Sequence, residues 1–409
     1  MQINSSPNFL RRAPEASAAA ALAFPFVSNG QAAQNLEIRA GIIGCGGRGS
    51  GAGANLMQAA PNVKVVALAD VFPEKLERNR KNFPEVRDDH CFSGLDAAEK
   101  LIALKDVNYV ILATPPGFRP MHFAAAVEAG KHVFMEKPVA TDAPGIRQVL
   151  AAGEKAAQKG LQVAAGTQRR HQTSYIENVK SIHDGAIGDV LYLCAYWNTN
   201  AIWHRGETGD TEMEKQIRNW YHYTWLSGDH ICEQHVHNLD VCNWVMKTHP
   251  VKAIGVGGRA ALGSKSGHIF DHFAVEFEYP NGVRLFSQCR QITGCDGKVS
   301  EFVVGAKGGI NPGGGGRRAR GKAAGAASPY VQEHTDLIAA IRGGPPLNEA
   351  KNVAESTFTA IMGREACYSG KTVEWDNLLK NGPRLVPEKI AWGPAPKVSV
   401  AMPGQYRIS

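Results

Sequence analysis

Leu36-Glu37-Ile38-Arg39-Ala40-Gly41-Ile42-Ile43 runs directly into Gly44-Cys45-Gly46-Gly47-Arg48-Gly49, and this junction decides the fold. The first stretch reads as a buried strand, the glycines form a G-x-G-x-x-G turn, and a helical segment follows through Gly53–Ala60. A second apolar strand, Val63–Ala69, then leads to Asp70. The hexapeptide alone is a weak signal. A strand before it, a helix after it and an acid ending the next strand make it a dinucleotide-binding fingerprint. Gly44 permits the tight turn, Gly46 lets backbone approach a pyrophosphate, and Gly49 allows helix and strand to pack closely. The helix N-terminus offers free N–H groups and a positive dipole end to phosphate. Asp70 is placed to accept hydrogen bonds from both ribose hydroxyls of NAD. Its charge would repel a 2′-phosphate, and Val71 and Phe72 supply no arginine to hold one. NAD is therefore expected rather than NADP.

Outward from this junction, strands alternate with helices. A helix over Pro73–Asn82 and another over Leu95–Leu104 precede a strand at Tyr109–Ala113. A helix at Pro120–Ala129, a strand at His132–Met135, a helix at Ala143–Lys159 and a strand at Leu161–Ala165 complete this half. Such alternation gives a doubly wound parallel sheet with helices on both faces, an α/β Rossmann domain over 34–165. The second half changes period. Val190–Tyr196, Val251–Val256, His272–Tyr279, Val283–Cys289 and Glu301–Val304 read as strands, with a hairpin at Pro280-Asn281-Gly282. A separate α+β domain over 166–382, with a mostly antiparallel sheet, is expected. The late helices Tyr330–Ile341 and Ala350–Ser369 are expected to close it, and 383–409 reads as a Pro-rich tail.

The chain has 409 residues, 44% hydrophobic and 20% charged, which suits two globular domains. The net charge of +7 is spread along the chain. Its tightest group, Arg317, Arg318, Arg320 and Lys322, lies in a Gly-rich stretch without a recognition helix or stacking aromatics, so nucleic acid is not an expected partner. Arg11-Arg12, the apolar run Ala18–Val27 and the small residues up to Ala33 read as a twin-arginine export signal over 1–33. A periplasmic or exported location is expected, with a cytoplasmic enzyme bearing an N-terminal extension as the alternative. No later segment has the roughly twenty apolar residues of a membrane span. The eight cysteines are expected as buried thiols, because Cys45 sits in the glycine loop and Cys232 and Cys242 share one helical segment.

Ala113-Thr114-Pro115-Pro116 ends one strand and Glu136-Lys137-Pro138 the next. With the glycine loop and with Ile182-His183-Asp184-Gly185-Ala186-Ile187-Gly188, these resemble the Gfo/Idh/MocA oxidoreductases from about Ile38 to Trp375. The resemblance implies NAD held by Gly44, Gly46, Gly47, Arg48, Gly49, Asp70, Thr114, Pro115, Glu136 and Lys137. It places Lys137 by the nicotinamide and substrate. The family's D-x-G-x-H-x-x-D run falls on Glu233, His235, His237 and Asp240, with Glu replacing Asp and His235 at a small-residue position.

The residues read alike. On one helix over Gly228–Met246, Glu233 and His237 are i and i+4 and share a face. There His237 is the expected base for a secondary alcohol, Glu233 orients it, and Lys137 stabilises alkoxide charge. Zinc binding by His230, Cys232, Glu233, His235 and His237 is a competing reading, but His235 points away from the face of 233 and 237, and no metal is expected. Gln168 and Arg169 are expected to touch substrate, an interdomain ion pair being the alternative for Arg169. Trp203, His204, Trp220, Tyr221, His222, Tyr223 and Trp225 form an aromatic-rich insertion. Trp203 and Tyr221 from this region, together with His235 of the following helix, are expected to contact the sugar, with core packing the other reading for the aromatic residues. The expected activity is NAD-dependent oxidation of a ring hydroxyl in a sugar, sugar derivative or glycoside, by a homo-oligomer formed through the C-terminal sheet. One alternative is a glycoside hydrolase that oxidises transiently on a retained NAD, with His235 or Tyr221 as second base. Another is a non-catalytic sugar or NAD sensor.

Overall fold

A computed structural model describes residues 35–206, 208–263, 267–314, 328–397 and 399–408. Residues 1–33, expected to be an export signal, and the basic group Arg317–Lys322 lie outside the described residues. The N-terminal sheet contains β1 (Ile38–Ile43), β2 (Val63–Asp70), β3 (Cys91–Ser93), β4 (Tyr109–Leu112), β5 (His132–Met135) and β6 (Val163–Ala165). All pairs are parallel, in the order β3-β2-β1-β4-β5-β6. Both faces are covered, so β4 is buried at every position. The chain winds one way from β1 to β2 and the other way from β1 to β4. A crevice therefore opens beyond the C-terminal ends of β1 and β4, where Ile43 pairs with Leu112.

The second sheet contains β7 (Val190–Thr199), β8 (Lys252–Gly258), β9 (His272–Glu278), β10 (Arg284–Gln291), β11 (Lys298–Gly305), β12 (Gly308–Ile310) and β13 (Val373–Glu374). Its order is β12-β11-β7-β10-β9-β8-β13, antiparallel except where β10 lies parallel to β7. Alternation sets its two faces. Leu193, Ala195, Phe273, Val275, Phe277 and Leu285 are buried in the core shared with the helices Val236–Met246 and Ala350–Ser369. Tyr192, Ile254, Val256, Phe286 and Phe302 remain exposed.

Two late segments depart from expectation. The helix Pro329–Ile341 packs on the first domain rather than closing the second: Leu337 and Ile338 join Ile42, Leu56, Tyr109 and Phe134 in one cluster. An apolar helix face fits either sheet, and sequence order does not choose between them. The tail is anchored too, with Leu385, Val386 and Ile390 packed against a cluster of Phe72, Met213, Ile217, Trp225 and Leu226. All eight cysteines are free thiols. Among the described residues no helix is long and apolar enough to cross a membrane.

Candidate active site

The crevice at the sheet's switch point is a cavity of about 660 Å³ that Gly44, Gly46, Gly47, Arg48, Asp70, Thr114 and Pro115 help to line. Its glycines do different jobs. Gly44 has φ +96°, and a Cβ there would lie 2.6 Å from the Ala113 carbonyl carbon. A Cβ on Gly49 would lie 1.9 Å from the Gly44 carbonyl oxygen. Gly46 and Gly47 meet nothing within 4 Å, so their backbone faces open space. The helix Gly47–Ala59 begins with no side-chain cap and no acid in its first turn, leaving its N–H groups for an anion. Asp70 is preset beside them: Oδ2 accepts from Cys45 N at 2.7 Å and Oδ1 from Phe72 N at 3.0 Å. Lone pairs remain on both oxygens, although burial pushes the carboxyl above its usual range. This donor and acceptor set fits a dinucleotide.

Arg48 and Glu136, both expected at the cofactor, are bound to each other, and Arg48 also reaches Glu333 at 3.1 Å. The Glu136 carboxylate occupies the space a side chain at Gly166 would need, since a Cβ there would lie 2.4 Å from Oε2. Arg119 carries no signal in the sequence. It is 1% exposed and donates to the carbonyls of Thr114 and Pro138, clamping together the turns that end β4 and β5. Burial lowers its pKa to about 10. His122 also lines the cavity, and burial followed by the Arg119 charge lowers it to about 4.

Lys137, on the turn after β5, donates to the carbonyl oxygen of Glu233 and to its Oε1 at 3.2 Å. The expected continuous helix Gly228–Met246 is broken here into His230–Glu233 and Val236–Met246. His235 N bonds back to His230 O at 3.2 Å, a five-residue span, so the turn holds an extra residue. One extra residue rotates the rest of the helix by about 100°. Glu233 and His237 are therefore no longer helical neighbours, and Glu233 bonds to Lys137 and Gln234 instead of His237. Its contacts hold Lys137, which departs from the expectation that it orients the histidine. Burial raises the Glu233 carboxyl, with Lys137 opposing. His237 is 9% exposed, stacks on Trp197 at 5.8 Å between ring centres, and its buried Nδ1 has no partner among the described residues. Burial first, then the charges of Lys137, Arg169 and Arg48, hold its pKa well below the usual value. Burial and these charges disfavour the protonated ring, and Nδ1 is left without a hydrogen-bond partner among the described residues.

The expected substrate residues divide. Arg169 is bound to Glu301 on β11, which also accepts from Asn238 at 2.6 Å and Tyr175 at 3.2 Å. The ion-pair alternative therefore describes its contacts. Gln168 has a buried Oε1 without a partner among the described residues. Trp203 lines the dinucleotide cavity. Tyr221 and His235 are corrected: at 1% and 0% exposure they are core groups, Tyr221 sharing hydrogen bonds with Gln291 and His235 bonding Ser287 Oγ at 2.7 Å. Burial lowers His235 to about 3. Asp240, at the family's last acid, receives Arg170 on both oxygens, Nε to Oδ2 at 2.9 Å and Nη2 to Oδ1 at 2.9 Å.

A phosphate-ready helix at the switch point, with Lys137 from one domain and His237 from the other, defines a class of fold and site: a two-domain dinucleotide-binding protein. Residues 38–167 match the oxidoreductase family described as NAD-binding Rossmann fold. The match is to the Gfo/Idh/MocA family and covers the first domain, which is an NAD-binding domain. It is 30% identical over 199 residues to inositol 2-dehydrogenase 4 of Saccharopolyspora erythraea, covering 48% of this chain and 56% of that protein. Over 260 residues it is 27% identical to inositol 2-dehydrogenase of Klebsiella pneumoniae, covering 62% and 69%. The chain thus spans between about half and two thirds of these relatives' lengths. In fold it is similar to scyllo-inositol dehydrogenase from Lactobacillus casei with bound NAD(H) and scyllo-inositol, with TM-score 0.65 and 19% identity over 83% of this chain and all of that one.

Proposed function

We propose that this protein is an NAD-dependent dehydrogenase that oxidises a ring hydroxyl of a polyol or sugar. The observation that carries this reading is Lys137, fixed by Glu233 on the turn after β5, with His237 and its unpartnered Nδ1 brought to it from the second domain. NAD, when bound, supplies the carbon that accepts hydride. His237 accepts the hydroxyl proton, and the Lys137 ammonium steadies the oxygen as negative charge develops on it. Likeness to inositol 2-dehydrogenases supports a cyclic polyol as substrate class. The test is NADH absorbance with purified protein and a panel of inositols and aldoses. NADH accumulation with a ring polyol supports the reading, and a silent panel with NAD bound refutes it. The retained-cofactor hydrolase loses its proposed second bases, since Tyr221 and His235 are both in the core.

The same reading includes two further proposals. The apolar outer face of the second sheet, with Tyr192, Ile254, Val256, Phe286 and Phe302, packs on a second copy. Light scattering should show an oligomer that Phe286→Glu dissociates; a monomeric wild type overturns this. Export is supported by Arg11-Arg12 and the apolar run after them. Fractionation should find a mature chain starting near Gln34 outside the cytoplasm, and an intact Met1 on cytoplasmic protein overturns it.

A further inference from the structure

Two consecutive residues of the second domain hold a positive φ, Gly228 at +79° and Asp229 at +71°. Gly228 suits its place, because a Cβ there would lie 2.8 Å from the Cys232 Cβ. Asp229 does not: with ψ 165° its backbone lies in a region that only glycine enters freely. Such strain persists where the surroundings over-determine it. Asp229 is completely buried, and its carboxylate accepts from His230 N at 2.6 Å, from Phe270 N at 2.8 Å and from the Tyr368 hydroxyl. Its own N–H donates to Ser227 Oγ at 3.0 Å. Its anchors thus come from the segment before β9 and from the helix Ala350–Ser369 as well as from its own turn.

The strained turn leads straight into the short helix His230–Glu233. The Asp229 carbonyl accepts from Cys232 N at 3.0 Å and from Glu233 N at 2.9 Å, so this backbone decides where Glu233 lies. Glu233 in turn binds Lys137 through its carbonyl oxygen and through Oε1. Arg364, on the same helix as Tyr368, ties the two sides together: its Nη1 donates to Gly228 O at 3.1 Å and to Thr141 O at 2.8 Å. Thr141 lies in the segment between β5 and the helix Ala143–Gln158, which also carries Lys137. A glycine would adopt the backbone of Asp229 without strain, so what the carboxylate adds is the set of anchors.

Resting on the reading of Lys137 as the group beside the reacting oxygen, we propose that Asp229 is a positioning residue, whose anchored backbone sets the helix His230–Glu233 so that Glu233 holds Lys137 in one place. Its anchors belong to the second domain and the lysine to the first, so the same residue fixes the spacing of the two domains at the site.

The test uses the full chain as wild type, Asp229→Gly, Asp229→Ala, Tyr368→Phe, Glu233→Gln and the double variant Asp229→Gly with Glu233→Gln. Reactivity of the Lys137 amine toward acetic anhydride, read by peptide mass spectrometry, reports its hold without any turnover. Lys131, buried elsewhere in the first domain and bound to the carbonyls of Leu104 and Val107, is the internal control. Both Asp229 variants should raise labelling of Lys137 by about tenfold, as the loss of a charged hydrogen bond does, and leave Lys131 unchanged. Turnover with a ring polyol should fall by about tenfold with NAD affinity kept, and the double variant should lose less than the product of its two single losses. Wild-type labelling of Lys137 in folded Asp229 variants overturns the proposal. So does a rise at Lys131 equal to that at Lys137, which marks general loosening, and so does a strictly multiplicative double variant. If the Asp229 variants do not fold, Tyr368→Phe decides alone: it removes one anchor and should raise labelling of Lys137 only, and no rise overturns the proposal. A wild type that makes no NADH with any ring polyol refutes the dehydrogenase reading, while the labelling still decides what positions Lys137.

Discussion

Two glycines of one motif should fail in opposite ways. At Gly49, an alanine Cβ would sit 1.9 Å from the Gly44 carbonyl oxygen, whereas real contacts stay beyond 3.0 Å, so helix and loop must separate by about 1 Å. Alanine is the better helix former by about 1 kcal/mol. Overpacking of rigid backbone costs about 1–3 kcal/mol or more, so the clash wins and Gly49→Ala destabilises. The displaced helix N-terminus should also weaken NAD binding. At Gly46 the added methyl meets nothing within 4 Å, and the backbone, at φ −74° and ψ −173°, is ordinary for alanine. Gly46→Ala should therefore fold as well as wild type, or better by about 0.4–1 kcal/mol through the unfolded chain. Its methyl occupies the space through which the pyrophosphate reaches backbone N–H groups. Losing one such charged hydrogen bond, about 1.5–3 kcal/mol, weakens NAD by about 10–150-fold. Urea unfolding and NAD titration on the same preparations separate the two effects. Wild-type NAD affinity in Gly46→Ala, or wild-type stability in Gly49→Ala, would refute the assignment of this loop.

His237→Ala should lower turnover by about 10²–10⁴ while NAD affinity is kept, and loss of NAD binding alone would argue against a proton-transfer role. Lys137→Met should remove a cation that depresses the imidazole, moving the acid limb of the kcat/KM profile to higher pH; an unmoved limb refutes His237 as the titrating base. His171 is opposed by burial but driven up to about 10 by Asp336 and Glu349. Its folded value lies above the unfolded one, so its stabilisation is complete below about pH 6.5 and is lost as pH rises through about 10. His171→Gln should then lower Tm markedly at pH 6 and little at pH 10, and a pH-independent loss refutes this. Arg119→Met leaves the buried Pro138 carbonyl and the part-buried Thr114 carbonyl without this donor and should cost about 1–3 kcal/mol or more by urea unfolding; a neutral result refutes the clamp.

What the chain alone determined is local. Strand, glycine turn, helix and Asp70 all fall between Leu36 and Asp70, so the dinucleotide crevice arises from backbone rules acting over short spans. The ends of β4 and β5 are local in the same sense, and Thr114, Pro115, Glu136 and Lys137 lie at them. What tertiary structure decided is where long-range packing overrides period. Period alone makes Gly228–Met246 one regular helix, but His235 turns into the core to meet Ser287 on β10, the turn takes an extra residue, and Glu233 passes from His237 to Lys137. Tyr221 suits a sugar platform on sequence because an aromatic residue reads the same whether it packs or binds, and Gln291, far along the chain, draws it inside. Lys75 and Arg205 line one cleft from two domains. No span of sequence short enough to read by pattern contains both. Periodicity and propensity act between neighbours, whereas the partner of a buried charge is chosen by whichever distant segment the fold brings against it.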